Sequence, residues 1–169
     1  MEQTTILDRI AAVRVFVLDV DGVLTNGQLL VTEEGHLLRA MNIKDGYALQ
    51  LAVKQGYLVW VISGGKSRGA GMRLERLGVQ EAHFGVEDKL QTLHRLLEQY
   101  GITDPSRVLY MGDDMPDLAP MQYCGVKCAP RDACMEVIEA ADYISPYNGG
   151  MGCVRDVVEK VLKVNNHWK

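Results

Sequence analysis

VRVFVLDVDGVLT, residues 13–25, decides the architecture. An unbroken run of β-branched and aromatic residues is what a strand buried on both faces of a parallel sheet requires, and this one ends in Asp19-Val20-Asp21-Gly22. Side chains along a strand alternate with a period of two. Asp19 and Asp21 therefore project to one side at the carboxyl edge, while Val20 turns back into packing. In open α/β sheets that edge is where ligands bind. Two adjacent carboxylates repel each other, and a cation relieves the repulsion. Taken alone, a D-x-D pair is equally well a solvated loop opening.

Outward from this stretch, similar apolar runs recur at YLVWVIS (57–63), RVLYMG (107–112) and GVKCA (125–129). Between and around them, helical spacing of apolar residues covers 46–55, 67–77, 88–100, 114–123, 132–140 and 152–164, as in Leu90, Leu93 and Leu97. Strands alternating with helices predict an α/β fold: a three-layer Rossmann-like parallel sheet with helices on both faces. One stretch breaks the rhythm. GQLLVTEEGHLLRAMNI, 27–43, places two short apolar runs across a Glu-Glu-Gly turn and reads as a β-hairpin insertion too short to fold alone. At 169 residues the chain is expected to form one domain over 1–169.

Lys and Arg number 18 against 22 Asp and Glu, a net charge of −4, which offers no footprint for a nucleic-acid backbone or an anionic membrane surface. The apolar runs fall short of the roughly 20 residues that cross a bilayer, and MEQTTILDRI is too polar for a signal peptide. A soluble, cytoplasmic protein is expected, with neither nucleic acid nor membrane as partner. The four cysteines, Cys124, Cys128, Cys134 and Cys153, lack C-x-x-C spacing and read as structural thiols.

Three further features lie at strand ends or helix starts. After RVLYMG come Asp113-Asp114-Met115-Pro116-Asp117. Asp114 suits an N-cap, Pro116 the first turn and Asp117 the N3 position, which leaves Asp113 without capping duty and free to face the first strand's carboxylates, giving an oxygen-rich site suited to Mg²⁺. The turn Ser63-Gly64-Gly65-Lys66-Ser67 combines small residues, a hydroxyl and free N–H groups before a helix, the physics of an anion cradle. A P-loop is excluded, because its first glycine would fall on Trp60. Lys89 opens a helix, where a cation opposes the dipole; a surface lysine is the plain alternative.

DVDGVLT (19–25), Ser63-Gly64, Lys89 and GDDMPD (112–117), in that order, resemble the four motifs of the haloacid dehalogenase superfamily of phosphotransferases. DGVLTNG (21–27), NIKDGYAL (42–49) and YNGGMGCVRDVVEKVL (147–162) are similar to its small capless branch, which acts on phosphates of 2-keto-3-deoxy sugar acids. The resemblance implies a Mg²⁺-dependent phosphatase that hydrolyses 3-deoxy-D-manno-octulosonate 8-phosphate through an aspartyl phosphate, with a nine-carbon nonulosonate 9-phosphate as the alternative substrate. It makes Asp19 the nucleophile and Asp21 the general acid and base, and puts Mg²⁺ on Asp19, the Asp21 backbone carbonyl and Asp113. Ser63, the Gly64 N–H and Lys89 would neutralise the phosphoryl oxygens. Thr25, Asp45, Ser63, Gly64, Lys66 and Arg68 are the substrate contacts it implies.

With the hairpin in place of a cap domain, the resemblance also implies a homotetramer in which a neighbour completes each site, and a mobile tail at Gly149–Gly152 and Arg155. Many octulosonate phosphatases carry arginine just after the Ser/Thr-Gly pair, where this chain has Gly65; Lys66 or Arg68 in the same turn could substitute. Two other classes are weighed. A non-catalytic tetramerisation module would be expected to lack Asp19 or Asp21. A phosphorylation-activated receiver would carry its acceptor on the third strand rather than the first.

Overall fold

The structure, a computed structural model, describes residues 5–169. The chain runs α1 (Ile6–Ala12), β1 (Val15–Leu18), the hairpin strands β2 (Leu30–Val31) and β3 (Leu37–Leu38), α2 (Ile43–Lys54), β4 (Leu58–Ile62), α3 (Arg68–Arg76) and β5 (Glu81–His83). It continues through α4 (Lys89–Gln99), β6 (Val108–Met111), α5 (Leu118–Tyr123), β7 (Val126–Ala129), α6 (Met135–Ala140), β8 (Tyr143–Ile144) and α7 (Cys153–Val164).

Six strands form one parallel sheet in the order β5-β4-β1-β6-β7-β8. The expected α/β architecture is what the chain adopts. From β1 the chain moves outward through β4 and β5, then crosses back to lay β6 on the other side of β1. Strand order thus reverses at β1, the topological switch point where α/β sheets open a crevice. Register brings the strand ends level: Leu18 pairs with Val61 on one side and Met111 on the other. Asp19, Ser63 and Asp113 consequently emerge on one rim.

Alternation along the strands feeds two separate cores. Phe16, Leu18, Val59, Val61, Leu109 and Met111 face α1, α2, α3 and α7, while Val15, Val17, Trp60, Ile62 and Tyr110 face α4, α5 and α6. Among the described residues, no helix is long and apolar enough to cross a membrane.

The hairpin forms as expected, with Leu30 opposite Leu38 and Val31 opposite Leu37, and Leu29, Leu30, Val31, Leu37 and Leu38 are all exposed. Some boundaries differ. Helix α2 starts earlier than 46 because the Asn42 side chain accepts the Lys44 and Asp45 N–H groups. Helix α5 begins at Leu118 rather than 114, because Asp114 and Asp117 form a capping box around a single 3₁₀ turn, Met115–Asp117. Helix α1 and the edge strands β5 and β8 have no counterpart in the sequence reading. Helix α1 carries its own signal, a Thr5/Asp8 capping box. The edge strands are two or three residues long and partly polar, which leaves no alternation to read.

Candidate active site

Asp19 leaves β1 with its N–H on the Met111 carbonyl at 3.1 Å, so the end of β6 fixes its backbone. Its Oδ1 accepts the Val20 N–H at 2.7 Å and lies 3.2 Å from Lys89 Nζ. The following turn is tight: Thr25 N–H reaches back to the Val20 carbonyl, and the Thr25 hydroxyl accepts from the Gly22 and Gly27 N–H groups at 3.3 Å each. Gly22 is obligatory here on two counts. Its φ is +90°, and a Cβ would stand 1.9 Å from Asp113 Oδ2. That contact carries Asp113 right over the turn of the first strand.

Lys89 is buried, and its Nζ bridges Asp19 Oδ1 and Asp117 Oδ1, the latter at 2.8 Å. Asp117 is fully buried. Its Oδ1 also accepts the Tyr110 hydroxyl at 2.9 Å, and its Oδ2 accepts the Asp113 and Asp114 N–H groups. Asp113 Oδ1, in contrast, is buried with no hydrogen-bond partner among the described residues. Oxygens of Asp19, Asp113 and Asp117 all lie within 4.8 Å of one another.

Three carboxylates face one ammonium in a low-dielectric pocket, and the charges respond accordingly. Burial, with the Asp117 charge next, pushes Asp19 up to about 6 against the pull of Lys89. Burial, then Asp19, Asp117 and Asp114, pushes Asp113 up to about 8. Burial would lower the Lys89 ammonium, but Asp117 and Asp19 outweigh it and hold it above its ordinary value. An unpartnered, buried carboxylate oxygen beside a second carboxylate is a donor set for a hard divalent cation. Asp19 and Asp113 are the residues able to hold it. Both Asp117 oxygens already receive two donors each, so Asp117 anchors Lys89 and the Asp113 backbone instead.

The cleft of ≈ 380 Å³ over these groups is lined by Asp21, Ser63, Gly64, Gly65 and Glu87 as well as the carboxylate cluster and Lys89. Of the residues predicted for the site, Asp19, Asp21, Ser63, Gly64, Lys89 and Asp113 are thus brought together. The Asp21 side chain does not join the carboxylate cluster. It is gripped in two-point fashion by Arg39 from the end of the hairpin, Nε to Oδ1 at 2.6 Å and Nη2 to Oδ2 at 3.0 Å.

Four predicted substrate contacts lie elsewhere. The Thr25 hydroxyl is occupied with the backbone of its own turn. Asp45 is buried between helices, where its Oδ1 accepts the Arg155 N–H at 2.8 Å and so caps α7, which has no side-chain cap of its own. Lys66 and Arg68 face two grooves beside α3 rather than the cleft. The expected tail, Gly149–Gly152, packs against the back of the catalytic turn, with the Gly150 N–H on the Val23 carbonyl at 2.9 Å. Two residues were not anticipated in their present roles, Arg39 and Asp117. The spacing Asp113-x-x-x-Asp117 hints at the second, since the N3 side chain of a capping box folds back toward the preceding strand end.

A family model for haloacid dehalogenase-like hydrolases matches residues 83–155. The 3-deoxy-D-manno-octulosonate 8-phosphate phosphatase of Salmonella typhi is 35% identical over 159 residues, covering 94% of this chain and 84% of that protein. A crystal structure of the corresponding phosphatase from Moraxella catarrhalis, in complex with magnesium ion, phosphate ion and a KDO molecule, superposes with a TM-score of 0.91 at 33% identity, covering 95% of this chain and 92% of that one. The cobalt-bound form of the Haemophilus influenzae phosphatase matches with a TM-score of 0.89 at 29% identity, covering 94% and 92%. With the switch-point carboxylates in place and similarity running over nearly the whole length, the chain belongs to the 3-deoxy-D-manno-octulosonate 8-phosphate phosphatase family of haloacid dehalogenase-like hydrolases.

Proposed function

We propose that this protein is a Mg²⁺-dependent phosphomonoesterase that converts 3-deoxy-D-manno-octulosonate 8-phosphate into the free sugar acid and inorganic phosphate. The observation that carries this is the buried Asp19 carboxylate beside Lys89 at the switch point, with the half-buried Asp113 next to it and the Asp113 Oδ1 atom buried without a partner among the described residues. The relative crystallised with magnesium, phosphate and the sugar acid supports the substrate class. Mg²⁺ held by Asp19 and Asp113 would supply Lewis-acid neutralisation of the phosphoryl charge.

The chain's own groups supply the rest. An Asp19 carboxylate oxygen attacks phosphorus in line, the phosphorus–oxygen bond to the sugar breaks, and the leaving oxygen takes a proton from Asp21. Asp21, now ionised, removes a proton from water, which attacks the aspartyl phosphate and returns Asp19 free with phosphate released. Lys89 holds Asp19 in place and offsets its charge as the phosphate dianion approaches, and the Ser63 hydroxyl and Gly64 N–H line the same cleft to receive phosphoryl oxygens.

Purified protein should release phosphate from the eight-carbon substrate with Mg²⁺ and stop when the metal is chelated. A panel that also holds a nine-carbon keto-acid phosphate and hexose phosphates ranks the sugars; no release from any of them would overturn the reading. A homotetramer belongs to the same proposal, supported by five exposed apolar side chains on a hairpin of two-residue strands. Sedimentation at a four-chain mass is expected, and a monomer at micromolar concentration rules it out. A cytoplasmic location, testable by cell fractionation, suits four cysteines that remain free thiols.

A further inference from the structure

Arg39 occupies an unusual place. It sits at the end of the hairpin, yet its guanidinium reaches the wall between two cavities: the catalytic cleft, and a groove of ≈ 810 Å³ between hairpin and α3 that Arg39 lines together with His36, Lys66, Arg68 and Arg73. Its Nη1 is steadied by the carbonyls of Leu37 and Lys66, at 3.2 and 3.4 Å, so the fork is held in one orientation. What fills the fork is the Asp21 carboxylate, bound through both oxygens. Gly65 makes this possible. A Cβ there would stand 2.6 Å from Asp21 Oδ2 and 2.9 Å from Arg39 Nη2.

Two facts conflict if that pair is permanent. A two-point guanidinium–carboxylate contact fixes the carboxylate's plane and direction. Asp21 lines the cleft, but a group that acts on the leaving oxygen needs a free carboxyl oxygen, and Arg39 takes both. Asp21 cannot fill the fork and serve the substrate at the same time. The substrate class itself supplies a replacement, because a sugar-acid phosphate extending out of the cleft carries a second carboxylate toward a groove lined by cations.

On the phosphatase reading above, we propose that the substrate's carboxylate displaces Asp21 from the Arg39 fork, so that recognition of the acid end of the sugar releases the residue needed at the phosphate end. Arg39 is then both the specificity-determining cation and a latch on Asp21. Only a ligand that binds the open arrangement better can shift the equilibrium, and a neutral sugar phosphate has nothing to offer the fork. The Lys66 and Arg68 side chains contribute positive potential to the groove, and Lys66 meets the pair only through its backbone carbonyl.

The test compares a 2-keto-3-deoxy sugar-acid phosphate with p-nitrophenyl phosphate, which has no carboxylate. In Arg39→Ala, KM for the sugar-acid phosphate should rise at least tenfold with kcat held or raised, while kcat for p-nitrophenyl phosphate rises severalfold because Asp21 is no longer held. Arg39→Lys keeps the charge but loses the fork, and its KM should lie between the two. An equal loss of kcat on both substrates would show that the pair merely places Asp21 productively, and unchanged kinetics would make it a surface ion pair; either overturns the exchange. A wild-type protein inactive on both substrates overturns the phosphatase reading itself, a separate result visible before any variant is made.

Discussion

Asp19→Asn is expected to lose phosphate release by about 10⁴-fold or more, the scale on which removing a covalent nucleophile acts, while folding normally. An amide oxygen is nearly isosteric and can still accept the Val20 N–H that now bonds Asp19 Oδ1 at 2.7 Å. It cannot carry the negative charge that forms the bond to phosphorus. Stability should move the other way. Asp19 has its carboxyl raised to about 6 by burial and by Asp117, so its ionised form is disfavoured in the folded state. A carboxyl raised on folding binds more protons folded than unfolded, and stability falls as pH climbs from about 4 to about 6. Without metal, the wild type should therefore lose more melting temperature between pH 4.5 and pH 7 than Asp19→Asn does. Adding Mg²⁺ should raise the wild-type melting temperature and leave the variant nearly unmoved. Phosphate release within tenfold of wild type would remove Asp19 from the reaction as its nucleophile.

Why Asp19 was legible and Arg39 was not is a matter of range. Asp19, Asp21, Asp113 and Ser63 each follow an apolar strand, and in a parallel sheet every strand end of that kind reaches the same rim, so local pattern is enough to gather them. The four long apolar strands and the hairpin were visible for the same reason. Asp117 shows the limit. Its capping position was readable from Asp114-Met115-Pro116-Asp117, and the structure keeps that role, but the carboxylate also meets Lys89 and Tyr110, which arrive from α4 and β6. Those meetings depend on how helices lie across the sheet, which no local spacing encodes. Arg39 depends on more still: the hairpin's register and its angle over Gly65 bring it to Asp21. Asp45 and Thr25 stand in the strings that carry the family resemblance, yet one caps α7 and the other ties the catalytic turn. Their contribution to the site passes through the backbone they hold.

Lys89→Ala should be the most damaging change to stability in the site, at about 3–5 kcal/mol, the range for stripping the partner from buried ionised groups. Lys89 is a single ammonium, buried among Asp19, Asp113 and Asp117, and it contacts two of them directly. Its removal strips Asp19 and Asp117 of the cation that pairs with them and opens a void where the aliphatic stem was. For a chain of this length the melting temperature should drop by roughly 10 °C. The pH dependence identifies the cause. Lys89 is held above its ordinary value and stays charged throughout pH 5 to 8, so the wild type keeps its contribution across that window. In the variant, Asp19 and Asp113, already raised to about 6 and about 8, move higher still. The deficit should be largest near pH 8 and shrink toward pH 5, where the carboxyls take up protons instead of repelling. Chemical denaturation of wild type and variant at both pH values, without metal, measures it. A deficit independent of pH would mean that Lys89 matters for its packing alone, and that the carboxylates opposite it are not the interacting cluster on which the catalytic assignment depends.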